Sequence, residues 1–397
     1  MPTLLQINVT ANWGSTGKIA EAIGISAIEH GWKSYIAYRQ YSNPSKSNLI
    51  KVGTYIDRYL HYFENRFFDR EGLASRRNTK LFIKRIQNIK PDVIHLHNIH
   101  DHWLNYRLLF EYLNQTDIKV VWTFHDCWPF TGHCFHFVTK NCDRWKTMCH
   151  DCPLQHEYPK TMIDRSTKNF ELKKKMFGEN KNLSIVACSE WLGNFVKNSF
   201  LKDKPLTIIH NGVDLKVFQP TLPKKSFEDG KFRILAVSNV WNKEKGIDDI
   251  FKLREVLSYD YQITIVGLSE KQVKTLPPGI IGIQRTQNVQ ELVNLYSESD
   301  VLINPTYADT FPTVNLEALA CGTPIITYRT GGSPEAIDEK TGVIVEQGDI
   351  KSIVEALSKI KTFTFSPDEC RNRAVKYFMN DKCFEKYIAL YSQLIEQ

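Results

Sequence analysis

Two carboxylates carry the first chemical signal in this chain. Asp309 and Glu317 bracket the stretch Ala308-Asp-Thr-Phe-Pro-Thr-Val-Asn-Leu-Glu-Ala-Leu-Ala-Cys-Gly322. Upstream, Asp300–Pro305 reads as a short apolar strand ended by Asn304-Pro305. Thr313–Ala320 reads as a helix, with Pro312 tolerated at its start and Gly322 as its stop. This spacing places Asp309 at the carboxyl end of the strand and Glu317 about one turn into the helix, with the amides of Thr313 to Asn315 between them. A helix start favours an anion, and flanking carboxylates hold sugar hydroxyls by charge-assisted hydrogen bonds. A diphosphate with a sugar at each end meets all three demands. An ordinary βαβ unit, with Asp309 as a cap and Glu317 in solvent, uses the same pattern.

Four cysteines form a second signal, Cys134-x7-Cys142-x6-Cys149-x2-Cys152, with His133, His136 and His150 interspersed. Reduced thiols ending in Cys-x2-Cys suit a closed, structural tetrahedral zinc site. Four buried thiols are the alternative. Asp92-Val-Ile-His-Leu-His97 and the following Asn98-Ile-His-Asp-His102 also concentrate imidazoles. Strand alternation sends His95 and His97 to the same side, whereas the others sit on a turn, so a metal centre is not expected there. Finally, Thr10-Ala-Asn-Trp-Gly-Ser-Thr-Gly-Lys18 is a glycine loop between a first strand, Leu4–Val9, and a helical pattern, Ile19–His30. Such loops approach phosphates in α/β sheets, although Gly14 and Gly17 match neither a P-loop nor the dinucleotide fingerprint.

The elements that must position these residues alternate strand and helix along 397 residues, enough for two domains. Apolar residues make up 42% and charged residues 24%, the balance of a globular chain. No run approaches the ~18 apolar residues of a membrane span. The amino terminus reads as a strand rather than a signal peptide, and the expected compartment is the cytoplasm. Residues 1–220 hold 30 Lys+Arg against 20 Asp+Glu, and residues 221–397 hold 21 against 24. A basic first half suits an anionic partner: nucleic acid, an anionic membrane surface or a phosphorylated acceptor; plain solubility is the alternative. Tyr55–Lys90 interleaves Tyr55, Tyr59, Tyr62, Phe63, Phe67 and Phe68 with six basic residues from Arg70 to Arg85. Helical spacing favours a buried aromatic face. An amphipathic element resting on the inner membrane leaflet is the other reading.

The 308–322 stretch resembles the acidic-x7-Glu signature of retaining glycosyltransferases of family 4, and the likeness continues through Gly331-Gly-Ser-Pro-Glu335 to Thr341-Gly-Val-Ile-Val345. Asp309 replaces the Glu found in many members, and Pro312 replaces a Gly. The resemblance implies an α/β GT-B fold, two Rossmann-like domains facing across a cleft. Its expected divisions are 1–220, with a Cys-rich insert at 127–152, then 221–375, then a helix over 376–397 crossing back. It further implies His125, Asp309 and Lys245 as catalytic residues. Donor contacts are implied for Gly14, Gly17, Asn211, Lys243, Arg285, Thr286, Phe311, Thr313, Val314 and Glu317, with Lys243 standing in for an Arg whose place Val240 takes. His97, His100 and Asp126 are implied on the acceptor side. The implied reaction moves a sugar, UDP-hexose favoured, to a glycan or lipid-linked acceptor in capsule, exopolysaccharide or O-antigen synthesis. It uses no catalytic metal; a structural zinc is compatible with it. A sugar-nucleotide epimerase or phosphorylase shares the fold. A zinc-ribbon nucleic-acid binder would leave 309–322 unexplained, and no nucleic-acid partner is expected.

Overall fold

The structure, a computed structural model, describes residues 1–221, 227–362 and 365–396. It divides into two compact units, Met1–His210 with Phe384–Gln397, and Asn211–Cys383. The expected boundary lay at 220. Asn211–Thr221 belongs instead to the second unit, where Val213 donates to the Phe378 carbonyl at 2.7 Å and Arg371 bonds the Leu215 and Phe218 carbonyls. Residues 222–226, next to that expected boundary, lie outside the described residues.

The first unit holds β1 (Thr3–Ile7), β2 (Lys33–Tyr38), β3 (Asn48–Lys51), β4 (Val93–Leu96), β5 (Lys119–Phe124), β6 (Leu183–Ala187) and β7 (Leu206–Ile208). They form one parallel sheet in the order β3-β2-β1-β4-β5-β6-β7. Strands β4 and β6 are buried at every residue, the signature of a sheet covered on both faces. The second unit holds β8 (Phe232–Val237), β9 (Tyr261–Val266), β10 (Ile280–Ile283), β11 (Val301–Asn304), β12 (Ile325–Tyr328) and β13 (Gly342–Val345), in the order β10-β9-β8-β11-β12-β13. Its core gathers Ile234, Ile263, Ile265, Val301, Ile303 and Leu357 from sheet and helices. Both orders are doubly wound. Strand order reverses between β1 and β4 in one unit and between β8 and β11 in the other, and ligands of such sheets bind outside the carboxyl ends at that switch.

Two local expectations change. The first helix spans Gly14–Glu29 and so starts before the expected Ile19. Gly17 lies inside it, and a Cβ there would sit 2.6 Å from Thr10 Oγ1 and 3.3 Å from the Asn12 amide. Its bare backbone lets the loop fold onto its own helix. The helix Tyr55–Phe68 overturns the buried aromatic face: its two buried residues are His61 and Asn65. Tyr55, Ile56, Tyr59, Leu60, Phe63 and Phe68 are all more than half exposed. The inward side is polar because His61 is a hydrogen-bonding hub, accepting from the Gly72 amide and bonding Ser75 Oγ, each at 3.0 Å. The last residues form Pro367–Tyr377 and Asn380–Glu396. Of these, Tyr387 and Tyr391 join the first unit, bonding Thr123 and His95.

Candidate functional site

In the second unit, β8 and β11 are neighbours, so the loops leaving their carboxyl ends meet at the switch point. The β8 loop ends in a short 3-10 turn, Lys243–Lys245, capped by Asn242, whose Oδ1 accepts from the Lys245 amide at 2.9 Å. The β11 loop carries Asp309. Lys245 Nζ lies 2.7 Å from Asp309 Oδ2 and 3.4 Å from the Ala308 carbonyl. Two residues singled out separately in the sequence thus form one ion pair, with side chains 32% and 22% exposed.

The loop between them is held by backbone. Tyr307 donates to the Glu244 carbonyl at 2.7 Å, and Gly332 donates to the Thr310 carbonyl at 3.1 Å. Gly331 adopts φ +57°, and a Cβ there would stand 1.6 Å from the Asp309 carbonyl oxygen, so only glycine fits beneath the acid. The helix Thr313–Ala320 that follows is pinned by a buried polar chain. Asn304 Nδ2 donates to Asn315 Oδ1 at 2.9 Å, Asn315 Nδ2 to Ser333 Oγ at 2.8 Å, and Ser333 pairs with Thr327 Oγ1 at 2.6 Å. Of the three amides expected at this helix start, Asn315 is spent on the Pro312 carbonyl at 3.2 Å. Among the described residues, the amides of Thr313 and Val314 have no protein acceptor.

Glu317 is half-buried and accepts from Tyr296 Oη at 2.9 Å. Tyr296 is fully buried, a positioning partner that the sequence pattern did not reveal. The Phe311 ring is 2% exposed and packs 5.8 Å from Phe378, so it offers no face to a ligand. Asn211 is buried, and its Nδ2 donates to the Phe311 carbonyl at 3.2 Å, which directs it to loop support rather than donor contact. Lys243 is exposed and makes no ion pair among the described residues. Arg285 and Thr286 follow edge strand β10, which β9 and β8 separate from β11, with Arg285 exposed.

In the first unit the switch point lies between β1 and β4, and the Asn98 amide donates across it to Asn8 Oδ1 at 3.2 Å. His97 is 2% exposed and engaged at both nitrogens, 3.1 Å from Gln6 Oε1 and 3.1 Å from His125 Nε2. It does not present a face to an acceptor; it orients His125. Gln6 Nε2 donates to the Ala20 carbonyl at 2.7 Å, so Gln6 Oε1 faces His97 and His97 Nε2 carries the proton. Burial holds His97 neutral, well below the usual histidine range, so its Nδ1 accepts. His125 is therefore the donor at Nε2. Burial and His100 also lower its pKa, to about 4. In the neutral ring that leaves Nδ1 as the acceptor nitrogen of His125.

His100 and Asp126 do meet, with Nε2 donating to Oδ2 at 2.8 Å, but both are buried, and Asp126 also accepts from the Trp128 amide. They brace the loop after β5 instead of facing an acceptor. Burial opposes the charged form of His100, but the Asp126 carboxylate overcomes this and raises its pKa. Gly14 opens the first helix, with no atom within 4 Å of the place of its missing Cβ, whereas Gly17 is buried against Thr10. Gly14 is thus the more open of the two to a ligand.

Two doubly wound units, each with polar loops at its switch point and one with an anion-ready helix start beside a cation, define a two-domain α/β enzyme of the kind that handles nucleotide ligands. Family models agree. "Glycosyltransferase Family 4" matches residues 26–217 and "Glycosyl transferases group 1" matches residues 218–377. WcaC of Escherichia coli K12, named as a colanic acid biosynthesis glycosyl transferase, is 24% identical over 411 residues, covering 98% of this chain and all of its own. Sucrose-phosphate synthase of Thermosynechococcus elongatus shares the fold over the full length of both chains, with a TM-score of 0.76 at 17% identity. Anabaena Alr3699/HepE, solved in complex with UDP, gives 0.65 at 11% identity, covering 99% of this chain and 100% of its own. The chain belongs to the family 4 type of glycosyltransferase, with the GT-B fold.

Proposed function

We propose that this glycosyltransferase moves a hexose from a nucleotide diphosphate, UDP-hexose favoured, to a glycan or lipid-linked saccharide, with retention at the anomeric carbon. The observation that carries the reading is the Lys245–Asp309 pair at the β8/β11 switch, beside the Thr313 and Val314 amides. Lys245 and the two amides take the leaving phosphates, with Lys243 as a second cation. Asp309 and His125 take sugar hydroxyls, and Glu317, held by Tyr296, takes the ribose. A diphosphate is already a good leaving group, so stabilisation of its charge carries the rate. The name of WcaC supports surface polysaccharide as the product class, and the UDP in HepE supports the donor base. The test is a thermal-shift screen against UDP, GDP, ADP and their sugars, with Glu317→Ala alongside. One nucleotide should shift the wild type and fail to shift the variant; no shift with any nucleotide overturns the reading. Nucleotide release that needs no added acceptor glycan would favour an epimerase.

A lipid-linked acceptor brings a membrane with it, and we place the enzyme on the cytoplasmic face of the inner membrane. The exposed aromatics of Tyr55–Phe68, together with Arg76, Arg77, Lys80 and Lys84 of the helix Arg76–Ile89, supply anchors and phosphate partners. No helix among the described residues is long and apolar enough to cross a membrane. Sedimentation with phosphatidylglycerol vesicles should carry the chain down and Phe63→Ser/Phe67→Ser should abolish this. Equal binding by wild type and variant removes the helix from the proposal.

A further inference from the structure

Between β5 and β6 the chain runs through three single-turn 3-10 helices, Trp128–Phe130, Val138–Lys140 and Arg144–Lys146, before the helix Ser166–Gly178. A segment this poor in regular structure needs another source of order. It contains Cys134, Cys142, Cys149 and Cys152, all free thiols. All four line one small cavity of about 10 Å³, together with His133 and Trp145. That volume is about one water-sized probe, room for a single ion and nothing larger. The Gly132 amide donates to Cys149 Sγ at 3.2 Å, and the Cys134 and Cys152 thiols are within hydrogen-bonding reach of each other.

Two buried groups around the cavity lack the partners their chemistry calls for. His133 bonds Asp69 through Nδ1 at 2.7 Å, while its Nε2 is buried with no partner. A carboxylate on the other ring nitrogen is the usual support of an imidazole at a metal site. Lys173 is 1% exposed, and its ammonium bonds only the Trp128 and Thr131 carbonyls, at 2.7 and 3.0 Å, over the Trp128 ring. Among the described residues it has no carboxylate partner. A buried ammonium without a counter-ion is expensive, and a thiolate cluster next to it would supply the missing charge.

We propose that Cys134, Cys142, Cys149 and Cys152 bind one Zn²⁺ in a closed tetrahedral site that orders the loop following His125. Binding releases four thiol protons to solvent and leaves a cluster of charge 2−. Lys173 provides a countercharge to that cluster. With no open position, the ion is structural. The three-ligand clustering in the chain lies elsewhere: His61, Glu71 and His102 are the described group whose ligand atoms all fall within 4.8 Å. That trio is already spent, because His61 uses both ring nitrogens and Glu71 accepts from the Asp101 and His102 amides while paired to His102. Among the described residues no three of these sulfurs fall within 4.8 Å of one another, so binding draws them in to the about 3.8 Å of a Zn–S₄ shell.

The test is metal analysis of the full chain purified under reducing conditions, before and after adding zinc alone. One zinc per chain is expected, and it should be lost in Cys149→Ser and in Cys142→Ser. Because those variants could misfold, Co²⁺ exchanged into the wild type supplies a second reading. The intense visible bands and near-ultraviolet thiolate charge transfer of a tetrahedral Co–S₄ centre support the site. Failure of the folded, reduced chain to take up zinc or cobalt overturns it. So does full metal content in both variants, or a disulfide among these cysteines in the native protein. None of these readouts depends on the sugar donor, so the zinc site and the transferase reading fail separately.

Discussion

Removing the cation of the Lys245–Asp309 pair should separate binding from folding. The pair is short, at 2.7 Å, yet the side chains are 32% and 22% exposed. Its gross Coulomb attraction, roughly 6 kcal/mol at an effective dielectric near 20, is largely offset by solvent screening and side-chain ordering. Partly exposed pairs of this kind retain about 1 kcal/mol or less. Lys245→Ala should therefore lower the melting temperature of a unit this size by only about 2–4 °C. If the ammonium holds a diphosphate, the ligand loses a charge-assisted hydrogen bond of about 1.5–3 kcal/mol, a drop of roughly ten- to a hundredfold in affinity. Calorimetry with the nucleoside diphosphate that stabilises the wild type measures this directly. The same titration with the parent nucleoside should show almost no difference, because a nucleoside carries no phosphate. Equal loss for nucleoside and diphosphate would refute the assignment. So would unchanged diphosphate affinity in a folded variant.

Gly331→Ala should be far more damaging than its size suggests, since the new Cβ would lie 1.6 Å from the Asp309 carbonyl at φ +57°. A fall of several degrees in melting temperature together with weakened nucleotide binding is expected, and near-wild-type values for both would contradict the described turn. Tyr296→Phe removes the Glu317 partner at a cost of about 1 kcal/mol in stability, and it should weaken nucleoside binding while sparing pyrophosphate, as competition assays would show. Stability should peak near neutral pH and fall on the acid side. Burial lowers His61 and His125 to about 4 and His95 and His97 well below the usual range. The unfolded chain alone then takes protons below about pH 6.5, removing about 1.4 kcal/mol per pH unit per imidazole. His100, His102 and His133, raised by carboxylates against opposing burial, contribute stability that fades as pH rises through their folded values. Urea unfolding from pH 4.5 to 8.5 checks both limbs, and a flat acid limb would contradict the buried neutral imidazoles.

Much of the second unit could be read from residue order because its chemistry is local. Asp309, the helix start and Glu317 lie within nine consecutive residues, and strand–loop–helix grammar places them without knowledge of the sheet. The partnership of Lys245 with Asp309 was hidden, since it depends on β8 lying beside β11, a crossover that periodicity does not encode. The first unit was harder for the same reason. Alternation put His95 and His97 on one side, and their rings do stand 4.0 Å apart. It could not show that Gln6, 91 residues away, takes His97 from the acceptor side and turns it toward His125. In the helix Tyr55–Phe68, spacing revealed that the aromatics share a surface but not which way it faces. That depended on His61 meeting the Gly72 amide, a contact set by the following turn.

The two units solve one problem with different chemistry. Each must hold a polar group still at a sheet edge where the backbone has left its ladder. The second unit does so with uncharged amides and hydroxyls, Asn304, Asn315, Ser333 and Thr327, each satisfied by the next. Such a chain adds little net stability over apolar packing, but any member left alone carries an unpaired polar group. It therefore fixes the direction of the Thr313 and Val314 amides more firmly than a greasy contact would. The first unit uses neutral imidazoles, and a neutral imidazole has one donor and one acceptor. Fixing Gln6 fixes His97, and fixing His97 fixes which nitrogen of His125 accepts. A single buried glutamine amide, held by the Ala20 carbonyl, thereby sets the hydrogen-bonding sense of the residue at the end of β5.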